Sequence, residues 1–163
     1  MGGFAIDCRA GYGYMENSFR QQATTTPLRV RYAETDQMGI VYYANYFVWF
    51  EIGRTEYCRQ LGFAYKEMEE QDGLYITVAE ARCRYKAPAR YDDELVVHTR
   101  LTDCRKRVLV FRYEVERPLD DTLVAEGETV HVVTDRQGRP RTMPAKYLDL
   151  FVARLPDELD RTP

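Results

Sequence analysis

The chain has 163 residues, 45% hydrophobic and 30% charged, with a formal net charge of −3. That length suits one domain with a sizeable core, and the near balance of charge provides no polybasic surface for nucleic acid or an anionic membrane. No apolar run approaches the ~20 residues needed to cross a bilayer, and Cys8, Cys58, Cys83 and Cys104 form no CxxC pair, which argues against a zinc site or a disulfide framework.

Residues 1–26 are rich in Gly, Thr, Gln and Asn without a sustained period, so a flexible N-terminal tail is expected there. No basic segment precedes an apolar one, so no secretory signal is read, and Ile6 stands where a myristoylation signal needs Ser or Thr. Met15 is a candidate natural start. Reduced thiols and a cytoplasmic location are the expectation.

Order is expected from Pro27. Leu28, Val30 and Tyr32 alternate with Arg29, Arg31 and Ala33, as in a strand, until Glu34 to Gly39 breaks the pattern with turn residues. From Tyr43 to Gly62, the residues Tyr46, Trp49, Phe50, Gly53, Tyr57 and Leu61 recur at helical spacing. Phe47, Val48 and Ile52 make the first half apolar nearly all round, which predicts a helix buried on most sides. Gly62 is its predicted stop, and residues 65–71 can add a short second helix.

Strand patterning follows over 74–86, 94–103, 107–117 and 122–134, with turns around Ala87-Pro88-Ala89-Arg90, Pro118 to Asp121, and Gln137 to Pro140. Leu95, Val97, Thr99 and Leu101 mark one face of the second of these strands. Residues 144–155 read as an amphipathic helix opened by Pro144, and 156–163 as a C-terminal tail. A long helix followed by four consecutive strands predicts an antiparallel meander curved around the helix, an α+β domain over 27–155. These patterns leave the function open.

The run YAETDQMGIVYYANY, Tyr32 to Tyr46, resembles the signature of the hotdog-fold thioesterases related to 4-hydroxybenzoyl-CoA thioesterase and to the thioesterase encoded beside the bacterial Tol–Pal genes. The likeness continues through Phe50 to Arg54 and Tyr85 to Asp93, and covers roughly residues 28–152. It implies a hotdog fold, in which a curved antiparallel sheet wraps one long helix. It also implies hydrolysis of an acyl-CoA thioester without a metal or organic cofactor. The expected assembly is a homo-oligomer, a dimer of dimers with active sites between subunits. Neither a nucleic-acid partner nor membrane insertion is expected.

The same resemblance assigns roles. Asp36 is the expected nucleophile or general base; the plainer reading is an Asp that caps a turn. The backbone amide at Tyr43, near the helix start, is the expected carbonyl-polarising group. Many members carry His at this position, whereas the hydroxybenzoyl-CoA branch has Tyr, as here; the Tyr43 ring is expected to pack in the core or an interface. Gly39, Ile40 and Val41 are expected beside the substrate, Gly39 also serving the turn. Asn45 is read as structural, bonding local backbone. Arg105, Lys106 and Arg107 offer clustered cations for the phosphates of coenzyme A, although a solvated hairpin has the same composition.

Glu51 is a rival carboxylate on the helix, because some distant hotdog thioesterases place a catalytic Glu there; pairing with Arg54, three residues on, is the plainer reading. Arg136, Arg139 and Arg141 are read as a solvated turn, and His98 and His131 as strand residues without a catalytic role. The alternatives are an acyl-carrier-protein thioesterase and a non-catalytic acyl-CoA-binding module.

Overall fold

Five strands alternate inward apolar residues with outward polar ones, and one long helix supplies the apolar surface that their inner faces need. The computed structural model describes residues 19–20 and 22–155. The candidate start at Met15, most of the N-terminal tail and the C-terminal tail at 156–163 lie outside the described residues.

Strand β1 is Thr24–Arg29, β2 Tyr75–Tyr85, β3 Glu94–Cys104, β4 Val108–Arg117 and β5 Thr122–Thr134; helix α1 is Asn45–Gln60, α2 Tyr65–Asp72 and α3 Ala145–Val152. All pairings are antiparallel, in the order β1-β3-β4-β5-β2. Inward residues Leu95, Val97, Thr99 and Leu101 of β3 and Leu109, Phe111, Tyr113 and Val115 of β4 are all buried. They meet Trp49, Phe50 and Tyr57 of α1, each aromatic contributing roughly 1.5–3 kcal/mol on burial. Phe50 stacks on Tyr113 with centroids 4.5 Å apart. Two glycines permit this approach: a Cβ on Gly53 would lie 2.5 Å from Thr99 Oγ1, and one on Gly127 would overlap the Phe50 ring.

The outer face is polar. Glu128 receives both Arg82 and Arg112, while Glu126 receives Arg84 and Lys86. α1 ends as its sequence predicts. Gly62, at φ +97°, follows the last turn, with Phe63 N–H donating to Cys58 O and Gly62 N–H to Arg59 O, the paired bonds of a Schellman cap. Gly73, at φ +62°, closes α2.

Three expectations are corrected. Only β3, β4 and β5 form a meander; β2 lies beyond β5 at the sheet edge. The link 86–93 is too long for a tight hairpin, and Pro88 has no N–H to extend a ladder. It runs across the strand ends instead, where Lys86 and Ala87 donate to Val124 O and Arg117 donates to Pro88 O. β1 begins at Thr24, inside the segment read as a tail; its Pro27 is tolerated because β1 is an edge strand paired only with β3.

Tyr32 is not on a strand. It opens a 3-10 turn, Tyr32–Glu34, and is 78% exposed, edge-on to Tyr91. α1 is buried on most sides, as its apolar first half predicts. Its exposed positions in that half are Val48 and Glu51, and on the edge strand β2 Val78 and Tyr85 are exposed as well.

Candidate active site

Between the 3-10 turn and α1 the chain makes a small closed turn. Gly39 N–H donates to Asp36 O at 2.9 Å, Asp36 N–H to Ile40 O at 2.9 Å, and Gly39 takes φ +70°. That left-handed conformation is accessible to glycine at little cost. Thr35 and Val41 bridge the base of the turn.

Asp36 is half-buried at the edge of an open groove of about 510 Å³, lined by Tyr32, Ala33, Thr35, Asp36 and Gln37. One carboxylate oxygen, Oδ1, accepts the Met38 N–H at 2.8 Å. The turn-capping role therefore occupies one oxygen, and among the described residues the other, Oδ2, receives no hydrogen bond.

The second element is the entry to α1. Among the described residues, the Tyr43 amide donates to no backbone carbonyl, whereas the neighbouring Tyr42 amide is taken by Glu34 O. A free N–H here lies at the positive end of a 16-residue helix. The Tyr43 ring is not in the core; it is 58% exposed and leans on Tyr42 with centroids 4.5 Å apart. Its carbonyl accepts the Tyr85 hydroxyl at 3.1 Å. Burial and the neighbouring Cys83 push Tyr85 up to about 12, so it remains an O–H donor.

Asn45 has the structural role expected of it, but its partner is not adjacent: Nδ2 donates to Glu34 O, eleven residues back, at 2.7 Å. Val41 is a core residue whose N–H is taken by Ala89 O at 2.8 Å, and the Ile40 carbonyl is taken by Asp36. Gly39 O accepts Arg90 Nη1 at 3.2 Å. Gly39, Ile40 and Val41 thus brace the turn through their backbone.

Arg105, Lys106 and Arg107 are not brought to this place. They join the end of β3 to the start of β4, whereas the Asp36 turn is braced by Ala89, shortly before β3 begins. The eleven residues of β3 separate the two ends by about 35 Å at the usual strand rise. Arg105 pairs with Asp103, and Arg107 Nε reaches Thr142 Oγ1 at 3.5 Å. In the other basic turn, Arg139 and Arg141 both close on Asp135, consistent with a structural role.

Glu51 is exposed and accepts the Thr55 hydroxyl at 3.1 Å. Arg54 does not turn towards it; it points inward to His131. His98 pairs with Glu116 at 2.8 Å, across the sheet from α1. Neither histidine belongs to the Asp36 turn. Among the described residues no acidic, His or Cys cluster could hold a metal ion, Cys58, Cys83 and Cys104 are free thiols, and no helix is long and apolar enough to cross a membrane.

Glu34 escapes a reading of the sequence. Its carboxylate is buried, accepting Arg31 N–H at 2.7 Å, Arg31 Nη2 at 3.0 Å and Trp49 Nε1 at 3.1 Å. Burial works against its charge, but these bonds and the Arg31 guanidinium outweigh it and hold the carboxyl below its ordinary value. The spacing from Arg31 to a glutamate three residues on is that of a capping box and carries a local signal. Nothing in the sequence marks the bond to Trp49.

Comparison with known proteins gives one family. The model of the thioesterase-like superfamily matches residues 30–161. The protein YneP of Bacillus subtilis is 41% identical over 110 residues, 68% of this chain and 78% of that protein. The acyl-CoA thioester hydrolase YbgC of Escherichia coli is 34% identical over 126 residues, 77% of this chain and 92% of the relative. Among solved structures, DHNA-CoA thioesterase from Staphylococcus aureus superposes with a TM-score of 0.74 at 29% identity, covering 81% of this chain and 87% of that one.

Proposed function

The chain belongs to the thioesterase-like superfamily and is an acyl-CoA thioesterase, and we propose that Asp36 is its catalytic carboxylate and the Tyr43 amide its oxyanion donor. The observation that carries this reading is that, among the described residues, one short stretch of chain holds both an Asp36 oxygen without a hydrogen bond and a helix-start amide that meets no backbone carbonyl.

The thioester carbonyl oxygen accepts the Tyr43 N–H, and the positive end of α1 favours the negative charge that gathers on it. Asp36 Oδ2 then acts in one of two ways. As a nucleophile it bonds to the carbonyl carbon and the C–S bond breaks. The sulfur leaves as a thiolate that takes a proton from solvent, and water cleaves the acyl-aspartyl anhydride to regenerate the carboxylate. As a general base it removes a proton from a water that attacks the same carbon; the C–S bond then breaks, and the proton passes from Asp36 to the departing thiolate. Both routes convert acyl-CoA and water to a free acid and coenzyme A.

The plainer role of Asp36, holding Met38 N–H, is compatible with either route because it uses the other oxygen. Val41 and Ile40 support the turn and are not assigned contact with the acyl group; Gly39 keeps the turn tight enough for substrate to approach.

The distance between Asp36 and the basic turn gives the oligomer its purpose. Arg105, Lys106 and Arg107 hold the nucleotide phosphates of a substrate whose thioester lies on another subunit. The assembly is a symmetric dimer, paired into a tetramer. The exposed Val78 and Tyr85 of the edge strand β2, and Val48 of α1, are the first surface it covers. The free thiols suit a cytoplasmic location.

The test is thiol release from a panel of short, long and aromatic acyl-CoAs, beside matched acyl-carrier-protein thioesters. Turnover is expected with CoA substrates. Binding of acyl-CoA without any thiol release would identify a binding module, and turnover confined to carrier-protein substrates would move the substrate class.

A further inference from the structure

Asp36 is held mainly by its own turn. Its bonds to Met38, Gly39 and Ile40 shape five consecutive residues but do not fix where that turn sits against α1. The connection to the helix runs through Glu34, two residues before it. The Glu34 carbonyl accepts Tyr42 N–H at 2.9 Å and Asn45 Nδ2 at 2.7 Å. Its carboxylate accepts the indole of Trp49, a residue 1% exposed on the buried face of α1. The other carboxylate oxygen accepts Arg31 N–H, closing the 3-10 turn. One residue therefore ties the strand-side approach to Asp36, the Val41–Tyr42 peptide one position before the Tyr43 amide, and the first turns of α1.

We propose that Glu34 is a positioning residue of the reaction: its carboxylate, clamped between Arg31 and Trp49, sets the place of Asp36 relative to the Tyr43 amide. This inference rests on the assignment of Asp36 and Tyr43 given above. A carboxylate suits the task because both oxygens accept hydrogen bonds, and here every facing group is a donor. Gln has nearly the same shape but presents one NH2, so it must lose either the Trp49 bond or the Arg31 bond. A buried donor facing a donor opens the clamp, and displacement of reacting groups by about 1 Å can cost on the order of a hundredfold in rate.

The experiment uses the full chain and one acyl-CoA that the enzyme turns over, with Glu34→Gln, Trp49→Phe, their double variant and Asp36→Asn. Phe151→Leu, a core change away from the site, controls for lost stability. Folding is followed by circular dichroism and Tm, and kcat and KM are measured well below Tm. Glu34→Gln and Trp49→Phe are each expected to lower kcat about tenfold with KM held, the pattern of an interaction that matters in the transition state. The double variant is expected to be no slower than the slower single one, because both break one link. Phe151→Leu is expected to lower Tm and leave kcat unchanged. If Glu34→Gln does not fold, Trp49→Phe carries the same test.

Asp36→Asn inactive beside a folded Glu34→Gln at wild-type kcat overturns this inference and leaves the site standing. So does a double variant whose losses multiply, or a rise in KM at unchanged kcat. Asp36→Asn at wild-type kcat overturns the site itself, and the role of Glu34 with it.

Discussion

Arg54 and His131 meet inside the fold, Arg54 Nη1 lying 3.0 Å from Nδ1 and 3.1 Å from Nε2 of the ring, with both side chains buried. His131 Nε2 also lies 2.7 Å from Thr129 Oγ1, which meets the Tyr113 hydroxyl at 2.8 Å. Burial and the adjacent guanidinium push the imidazole down to about 3, so it is neutral in the folded chain. An unfolded His titrates near 6.5. Between those values the unfolded chain binds a proton that the folded chain refuses, so stability falls as pH drops from about 6.5 towards 3. Urea unfolding across that window is expected to show a steeper pH dependence for wild type than for His131→Gln, by up to about 1.4 kcal/mol per pH unit. Parallel curves would mean that His131 is protonated in the fold.

Gly127 has the Phe50 ring where a Cβ would stand. Gly127→Ala forces Phe50 off its stack with Tyr113, and overpacking of this kind costs about 1–3 kcal/mol. Thermal unfolding is expected to show the loss directly, and Phe50→Leu in the same chain is expected to recover part of it by making room. An unchanged Tm for Gly127→Ala would show that the ring has space to move.

The β2 edge makes its own prediction. Val78 of β2 is 51% exposed and Val48 of α1 46% exposed. Val78→Asp with Val48→Asp places charges in a surface that the oligomer covers, where an unpaired charge is costly to bury. Light scattering at micromolar concentration is expected to give a dimer or tetramer for wild type and a monomer for this variant. A fully active wild-type monomer would remove the reason for placing the basic turn on a second subunit.

Arg105→Ala with Arg107→Ala is expected to raise KM for a CoA thioester while leaving the matching pantetheine thioester, which lacks the nucleotide phosphates, nearly unchanged. Because the basic turn and Asp36 stand at opposite ends of β3, the defect should also be shared between subunits. Mixed oligomers of this variant with Asp36→Asn are expected to recover activity that neither parent shows with CoA substrates at low concentration. Equal losses on both substrates would make the turn structural.

These particulars show how far the amino-acid order reaches. Periodicity locates α1, β3, β4 and β5 closely, because an alternating or helical apolar pattern reports which face is buried. It does not report which strand lies beside which, and so β2 is misplaced: the 86–93 link carries it past two strand ends. The motif around Asp36 is legible because its residues are contiguous and their bonds are local. Glu34 and Trp49 are fifteen residues apart, and only the fold brings them together. Arg54 fails for the complementary reason, since helical spacing offers it Glu51 while the interior offers it His131.

The measurement closest to the centre of the account is the turnover of Asp36→Asn. Asn keeps the size of Asp and an oxygen that can still accept the Met38 amide, so the turn should hold while the anionic oxygen is lost. Thiol release from acyl-CoA is expected to fall in kcat by at least about a hundredfold, with circular dichroism and acyl-CoA binding retained. Glu51→Gln is expected to stay near wild type, since among the described residues the Glu51 carboxylate has a hydrogen bond from Thr55 alone. A folded Asp36→Asn enzyme with wild-type kcat would contradict the account, and an inactive, folded Glu51→Gln enzyme would place the carboxylate on α1.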